Sequence, residues 1–273
     1  MSDSTTFSAL ADLDHAVGVV VTDSDGTLER YGETSRSFRW ASVTKLASAL
    51  AALVAVRRGM VRLDEPAGPE GSTVRHLLAH ASGLPFDSGA ALSAPGKRRV
   101  YSNLGIEVLA EHVAEATGVD FADWAEETVL TPLGMSSVIL EGSPAHGASG
   151  SADDLALLGR ELLAPTLLDE ALFAEATSVV YPGLSGVLPG FGRQEHNDWG
   201  LGFEIRDHKS PHWTGTHGSP RTFGHFGQSG SFLWVDPDAG LAAAFLGDGA
   251  FGDWAVQTWP VLNDAILAAH GRA

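Results

Sequence analysis

Apolar and polar positions near the start of the chain predict a β-hairpin followed by a buried helix. Residues 18–22 form an apolar run, Asp23-Ser-Asp-Gly26 is a turn cluster, and residues 27–31 form a second extended run. Residues 42–59 are rich in alanine and leucine, with arginines in the last turn and Gly59 at the position where glycine is favoured after a helix. This helix is apolar nearly all round, so we expect it in the core.

Helical spacing dominates the middle of the chain, and strand patterns return near its end. The predicted helices, separated by loops rich in glycine and proline, cover residues 74–80, 104–117, 121–130 and 152–163. The predicted strands cover residues 200–206, 230–235 and 241–246. Residues 253–270 predict a helix at the end of the chain.

Strands from both chain ends around a helical middle predict an α+β fold. We expect one antiparallel sheet, flanked by helices, in a sheet domain formed by residues 1–63 and 199–273. Residues 64–198 are predicted to form a mostly helical domain, and we expect the active site between the two domains. The chain has 273 residues and 44% hydrophobic content, which suffices for a core of this size.

The charge balance narrows the possible partners. The chain carries 17 basic and 34 acidic residues, which give a formal charge of −17. Such a surface repels phosphate backbones and anionic membranes, so we expect neither nucleic acid nor a membrane as a partner. Because the chain contains no cysteine, a thiol nucleophile and disulfide bonds are excluded.

The apolar segments give no sign of export or membrane insertion. Residues 1–16 are polar and acidic and lack the basic region and apolar segment of a secretory signal, which predicts a cytoplasmic location. The longest apolar stretch, residues 46–56, is far shorter than the ~20 residues of a membrane-spanning helix. No heptad pattern is visible, and the oligomeric state is left open.

Ser42-Val-Thr-Lys45 combines a nucleophile with a group that can take its proton. Residues three apart share a helix face, so the Lys45 amine can reach the Ser42 hydroxyl. The start of a helix also favours the negative charge that develops at that hydroxyl. The alternative is that Ser42 only caps the N-terminus of a buried helix.

Two later segments carry groups suited to the same chemistry. Tyr101-Ser-Asn103 lies between a basic loop and a predicted helix, which places a phenol and a carboxamide where they can project into a cleft. Gly224-His-Phe-Gly-Gln-Ser-Gly230 precedes a predicted strand, and its glycines allow a substrate to approach the backbone closely. Taken singly, these segments are equally compatible with a core tyrosine, a turn asparagine and a flexible strand start.

In this order the segments resemble the penicillin-recognising serine enzymes: class C β-lactamases, D-alanyl-D-alanine carboxypeptidases and the esterases of the same fold. The resemblance spans most of the chain. It rests on Ser42-x-x-Lys45, Tyr101-x-Asn103, His225-x-Gly227, His76-Leu-Leu-Ala-His-Ala-Ser-Gly-Leu-Pro85, Pro132-Leu-Gly-Met135 and Phe232-Leu-Trp-Val-Asp-Pro237. It implies a β-lactamase-like fold, a small-molecule acyl substrate, and no metal or cofactor.

The resemblance also implies a role for each residue of the motifs. Ser42 would form an acyl-enzyme with an ester, lactone, amide or lactam, and Lys45 and Tyr101 would share the proton transfers. Asn103 would orient the substrate and Lys45. The backbone N–H groups of Ser42 and Gln228 would form the oxyanion hole. A lysine nearby also favours the anionic form of the tyrosine or serine, and which of Lys45 and Tyr101 is the base stays open.

The third motif, His225-x-Gly227, departs from the β-lactamase pattern, in which a lysine and a following hydroxyl residue help to hold the substrate carboxylate. Here His225 is mostly neutral at pH 7 and Phe226 donates no hydrogen bond, so anion recognition should be weaker. We therefore expect esters or small amides to be favoured as substrates. The basic triplet Lys97-Arg98-Arg99 either restores a carboxylate contact or, as we expect, forms a solvated loop face.

Three other interpretations compete with this one. The chain is a true β-lactamase or D-alanyl carboxypeptidase, or it is a non-catalytic ligand-binding sensor of the same fold. Retention of nucleophile, lysine, tyrosine and asparagine together favours catalysis. His76 and His80 have the spacing of zinc-binding helices, but Leu77 stands where a zinc protease carries glutamate, and we expect no metal there.

Overall fold

Strands from both ends of the chain pair into one antiparallel sheet. The structure is a computed structural model that describes residues 5–271. Over these residues the strands are β1 Val17–Thr22, β2 Thr27–Gly32, β3 Phe38–Arg39, β4 Ile139–Leu140, β5 Ala148–Gly150, β6 Gly186–Leu188, β7 Gly192–Gln194, β8 Glu204–Ile205, β9 Phe223–Gly227, β10 Ser231–Asp236 and β11 Leu241–Gly247. The main sheet has the order β2-β1-β11-β10-β9-β8, which confirms the predicted antiparallel sheet from distant segments.

Helices cover both faces of this sheet and fill the middle of the chain. They are α1 Thr44–Arg57, α2 Val74–Leu78, α3 Asn103–Thr117, α4 Phe121–Ala125, α5 Ala152–Leu163, α6 Glu170–Ala176 and α7 Asp253–His270, and a π-helical turn, Glu126–Leu130, continues α4. The α+β class predicted from the sequence is therefore confirmed. Helices α5 and α7 occur where the spacing predicted them.

Alternating side chains of β1 and β11 belong to two separate cores, which explains why these strands are buried at every position. Val20 and Ala244 pack in the core that contains α1 and α5. Val19 and Phe245 pack in the other core, against Trp259 of α7. A strand buried on both faces shows a continuous apolar run rather than alternation, and this is the pattern of residues 18–21.

Helix α1 lies at the centre of the larger core. All of its side chains from Thr44 to Ala55 are buried, including the amine-bearing Lys45. Gly59 follows the helix with φ of 70°, the left-handed conformation that favours glycine. The helix predicted at residues 42–59 is thus confirmed from Thr44 to Arg57, and Ser42 lies one turn earlier, in a short 3-10 helix.

Two predicted elements near the end of the chain differ from the structure. The strand predicted over residues 200–206 is restricted to Glu204–Ile205. The glycine-rich segment that was expected to precede a strand contains one, since Phe223–Gly227 pairs with β10. Helix α6 and the β6–β7 hairpin were not predicted, because both are too short to give a clear periodic pattern.

Helices from the two predicted domains pack across the proposed division. Helix α5 lies within residues 64–198, but it packs against the main sheet. The side of Gly159 that lacks a Cβ atom faces Ala242 and Leu233 of the sheet. Helix α1, assigned to the sheet domain, packs against α3 and α4. The domain boundaries therefore stay a prediction. No helix within residues 5–271 is both long and apolar enough to cross a membrane.

Candidate active site

The backbone before α1 presents Ser42 in a constrained turn. Ser42 is half-buried in the 3-10 helix Ala41–Val43, and Ala41 has φ of 46°, a conformation that costs energy for a residue with a side chain. The N-cap of α1 is Val43, and no side chain caps this end. The interpretation of Ser42 as a helix cap is therefore wrong, and its hydroxyl is available to the cleft.

Strand β9 reaches this turn because Gly227 has no side chain. A Cβ atom at this position would lie 2.5 Å from the Trp40 carbonyl oxygen and 2.5 Å from Ser231 Oγ. Ser231 Oγ donates a hydrogen bond to the same carbonyl at 2.7 Å, and Ser229 Oγ donates to the Arg39 carbonyl at 2.7 Å. The end of β9 is thus fastened to the segment before the serine.

Lys45 is fully buried and its amine has three hydrogen-bond acceptors. It donates to Asn103 Oδ1 at 2.6 Å, to the Ala145 carbonyl at 2.9 Å and to Ser42 Oγ at 3.3 Å. Burial lowers the pKa of Lys45 to about 7, and the nearby carboxylates of Glu107 and Asp87 offset part of that shift. A lysine with this pKa can accept a proton near neutral pH and return it.

Asn103 holds the lysine from the start of α3. Ser102 caps this helix by accepting a hydrogen bond from the Gly105 N–H at 2.8 Å. The Asn103 carbonyl oxygen accepts from Lys45, and its amide nitrogen donates to Asp87 Oδ1 at 2.9 Å. A cation on one side and a carboxylate on the other fix the orientation of the amide.

Tyr101 completes the hydrogen-bonded group around the serine. Its side chain is hydrogen-bonded to Ser42, and its ring centroid lies 4.8 Å from Lys45 Nζ. Burial raises the pKa of Tyr101 well above its usual value, and the hydrogen bond to Ser42 offsets only part of that rise. At neutral pH the phenol is therefore protonated, which differs from the expectation that the lysine favours an anionic tyrosine.

His225 presents an uncharged imidazole to the cleft. Its Nδ1–H donates to the Phe226 carbonyl at 2.6 Å, so the ring nitrogen Nε2 is the unprotonated one. Nε2 has no hydrogen-bond partner within residues 5–271. Burial and the charge of Lys45 lower the pKa of His225 to about 3. The side chain is thus neutral at pH 7, as the sequence predicts.

His80 supports Tyr101, a role that the sequence did not indicate. It is buried with φ of 51°, and its Nδ1 accepts a hydrogen bond from the Ser102 N–H at 3.2 Å. Its ring packs 4.7 Å from Tyr101 and 4.6 Å from Trp199. His76, four residues earlier, instead stacks on Tyr181 at 4.6 Å. The two histidines therefore have different structural partners.

A loop after β4 also reaches Lys45, and the sequence contained no signal for it. Ser143 Oγ donates to Glu107 Oε1 at 2.6 Å and accepts from the Ala145 N–H at 3.1 Å. Ser48 Oγ, on α1, donates to the Pro144 carbonyl at 2.6 Å. These bonds orient the Ala145 carbonyl towards Lys45.

The predicted site residues meet at two adjoining cavities. The inner cavity has a volume of about 260 Å³, and its lining includes Tyr101, Pro189, His225 and Phe226. The outer cavity has a volume of about 340 Å³, and its lining includes Arg39, Ala41, Asn103 and Ser229. Both cavities are lined by Ser42, Phe86 and Gln228. The seven residues singled out from the sequence thus lie in or directly beside one cleft.

The basic triplet does not behave as a single solvated face. Lys97 and Arg98 are exposed, but Arg99 is only 3% exposed. Its guanidinium donates to the carbonyls of Ala79, Asn197 and Val180. The expectation of a solvated loop is therefore wrong for Arg99, because backbone oxygens accept the hydrogen bonds of its buried guanidinium.

The comparisons with known proteins identify the family of the chain. A family model described as Beta-lactamase matches residues 15–265. The crystal structure of a protein described as a β-lactamase from Mycobacterium bovis is 51% identical, has a TM-score of 0.96, and matches 98% of this chain and 100% of that chain. The fold is that of a β-lactamase-related serine hydrolase. The chain belongs to the Beta-lactamase family.

More distant relatives carry other names. The D-alanyl-D-alanine-carboxypeptidase/endopeptidase AmpH of Escherichia coli (strain K12) is 27% identical over 197 residues, which are 52% of this chain and 51% of AmpH. The chain thus spans about half the length of the curated relatives it matches. Simvastatin synthase LovD from Aspergillus terreus shares the fold, with a TM-score of 0.79 at 16% identity over 94% of each chain.

Proposed function

We propose that the chain hydrolyses esters or small amides through an acyl-enzyme at Ser42. The single observation that carries this proposal is the hydrogen-bonded group of Ser42, Lys45 and Tyr101 at the junction of the two cavities. A nucleophile, a proton acceptor and a protonated phenol in contact are the parts that acyl transfer needs.

In acylation, neutral Lys45 accepts the Ser42 proton while Oγ attacks the carbonyl carbon of the substrate. The backbone N–H groups of Ser42 and Gln228 stabilise the oxyanion that forms. Tyr101 then donates its phenolic proton to the leaving alkoxide or amine, and the Lys45 ammonium returns a proton to the phenolate. Water takes the place of the alcohol in deacylation, and the same groups move the protons in reverse.

The chemistry around the third motif supports an uncharged substrate next to the reacting bond. His225 is neutral at pH 7 because burial lowers its pKa to about 3, and Phe226 contributes only an apolar ring. A carboxylate beside the third motif would lose its hydration without gaining a cation from that motif. Esters and small amides avoid this cost, which is the basis of the proposed preference.

A second candidate function is hydrolysis of β-lactams or of D-alanyl peptides. It is favoured by the description of the Mycobacterium bovis protein as a β-lactamase at 51% identity and by the name of the Escherichia coli relative. Both substrate classes have a carboxylate near the reacting bond, so the two candidates differ in a measurable way.

Intact-protein mass spectrometry with parallel kinetics tests both candidates. The wild type and Ser42→Ala are exposed to p-nitrophenyl esters, a cephalosporin, a D-alanyl-D-alanine peptide and a fluorophosphonate. We expect an adduct on the wild type that is absent from Ser42→Ala, and the highest kcat/KM for an ester. A higher kcat/KM for the cephalosporin or the peptide than for every ester would establish the second candidate. No adduct and no turnover with any reagent would favour a ligand-binding sensor.

A further inference from the structure

A third cavity extends the cleft away from the serine. It has a volume of about 390 Å³ and shares Phe86, Tyr101 and Pro189 with the inner cavity. Val187, on the β6–β7 hairpin, lines one part of it, and Leu92 lines another. A substrate bound at Ser42 can therefore extend continuously into this space, which we call the annex.

The annex combines an apolar wall with two exposed arginines. Phe86, Leu92 and Val187 line it and are 50%, 57% and 62% exposed, so apolar surface faces the open space. The same cavity is lined by Arg98 and Arg193. Arg98 donates a hydrogen bond to the Leu92 carbonyl at 3.1 Å. Apolar surface with guanidinium groups beside it suits a ligand with a hydrocarbon body and an anionic end.

Neither arginine is paired with an acidic side chain in the part of the chain that the structure describes. Within residues 5–271, Arg98 and Arg193 form no ion pair with a carboxylate, although the chain has 34 acidic and only 17 basic residues. Elsewhere, Arg30, Arg36 and Arg75 are each paired with acidic side chains. Arg39, Arg57 and Arg160 likewise form no ion pair within residues 5–271. What distinguishes Arg98 and Arg193 is therefore their position together at one cavity with an apolar wall.

The two segments that carry these arginines are fastened to each other. The Arg99 N–H donates to the Ser185 carbonyl at 2.9 Å, and the buried Arg99 guanidinium donates to the Asn197 carbonyl at 3.0 Å. Arg193 lies in β7, paired with Val187 of β6. Since Arg98 adjoins Arg99, this buried anchor holds the Arg98 loop against the segment that contains the hairpin, and both charges face one cavity.

We propose that the annex binds a carboxylate at the distal end of the substrate, held by Arg98 and Arg193, while the apolar wall contacts the chain between that carboxylate and the ester. This inference rests on the proposed function and adds a substrate class to it: esters that are uncharged at the reacting bond and anionic at a distance. Guanidinium groups bind carboxylates through paired N–H donors, which makes them selective for such an end group.

Matched pairs of substrates test this proposal. In the first pair, p-nitrophenyl hexanoate is compared with the mono-p-nitrophenyl ester of adipic acid, which places a carboxylate at the end of the acyl chain. In the second pair, 4-carbamoylphenyl butyrate is compared with 4-carboxyphenyl butyrate, which places it on the leaving group. We expect kcat/KM of the wild type to be about tenfold higher for the charged member of one pair. A ratio of about tenfold is the effect expected from one partly exposed, charge-assisted hydrogen bond.

The double variant Arg98→Gln/Arg193→Gln should abolish that preference and leave hydrolysis of the neutral member within about twofold. Arg221→Gln is the matched control, because Arg221 is an exposed arginine paired with Asp238 and lines none of the three cavities. It should retain the full preference. Added salt should reduce the preference of the wild type, since partly exposed charges are screened.

Several results would overturn the inference. Equal or lower kcat/KM for the charged member of both pairs would remove the annex as an anion site and leave the proposed hydrolase function intact. A preference that survives the double variant and disappears in Arg39→Gln would move the anion to the outer cavity, which Arg39 lines. Absence of turnover for every ester, with no adduct at Ser42, would reject the proposed function together with the annex.

Discussion

The hydrogen bond between Lys45 and Asn103 allows a direct test of which group is the base. Asn103 Oδ1 lies 2.6 Å from Lys45 Nζ, and both side chains are buried. Asn103→Asp replaces this neutral oxygen by a carboxylate of nearly the same shape. If neutral Lys45 is the base, the variant should require a higher pH, because a negative charge beside the amine stabilises its protonated form.

The expected shift follows from the pKa of Lys45, which is about 7 in the wild type. An opposite charge in contact changes a pKa by about 1 to 3 units, so the inflection of kcat/KM should move to about pH 8–10. At pH 7 the neutral fraction of Lys45 would then fall by about fivefold to about 500-fold, and the rate should fall with it. At high pH the activity should recover towards that of the wild type.

Asn103→Leu changes the same pKa in the opposite direction. It removes an acceptor from the ammonium, an interaction worth about 1.5–3 kcal/mol, which corresponds to about 1–2 pH units. Its kcat/KM should therefore reach the plateau at a lower pH than the wild type. Asp87 accepts a hydrogen bond from the Asn103 amide, so Asn103→Asp is also made with Asp87→Asn to remove repulsion between the two carboxylates.

The assay is the pH dependence of kcat/KM for one p-nitrophenyl ester between pH 5 and pH 10, with circular dichroism to establish that each variant is folded. The reasoning is refuted if the wild-type rate falls, rather than rises, through pH 7. It is also refuted if Asn103→Asp and Asn103→Leu move the inflection in the same direction. Either result would favour Tyr101 as the base, with protonated Lys45 as its partner.

Three further predictions concern stability and geometry. Lys209 and His212 hold the pKa of Glu204 below its usual value despite the burial of Glu204. Glu204→Gln leaves the Lys209 charge unpaired and should lower the free energy of unfolding, measured by urea denaturation, by about 3–5 kcal/mol. The double variant Glu204→Gln/Lys209→Met should recover part of this loss. Gly227→Ala should reduce kcat by about 100-fold and the free energy of unfolding by only about 1–3 kcal/mol, because the added Cβ atom would lie 2.5 Å from the Trp40 carbonyl oxygen, just before Ser42. An unchanged kcat would contradict this prediction. Burial lowers the pKa of both His80 and His225, so below about pH 6.5 these histidines take up protons in the unfolded chain before they do so in the folded protein. The free energy of unfolding should therefore fall by about 1.4 kcal/mol for each histidine per pH unit below that value. Equal urea midpoints at pH 7.5 and 5.5 would count against this prediction.

The sequence predicted those parts of the site that depend on local spacing. Ser42 and Lys45 are three residues apart at the start of a helix, and the distance between Oγ and Nζ is 3.3 Å in the structure. Tyr101 and Asn103 are remote from them in the chain, and only the order of the motifs indicated that they would meet Lys45. The fold class followed from the hairpin at one end and the strands at the other.

The parts that were missed depend on tertiary partners. Strand β9 is rich in glycine, a residue with low strand propensity, but it is stabilised between β10 and β8. Arg99 resembled its two basic neighbours in sequence, and only the converging backbone carbonyls explain its burial. Likewise, nothing near Ser143 in the sequence indicates that it bonds to Glu107, 36 positions away, and orients a carbonyl towards Lys45.

The burial of helix α1 from Thr44 to Ala55 separates two timescales of motion in this enzyme. Ser42 adjoins, and Lys45 belongs to, the helix that forms the centre of the larger core, so amides such as those of Leu50 and Leu53 should exchange hydrogen only when the whole molecule unfolds. The β6–β7 hairpin, which lines the annex, is a two-stranded sheet with exposed residues and can open locally at much lower cost. Mutations that adapt this cleft to a new substrate can therefore accumulate in the hairpin without disturbing the reaction at the serine.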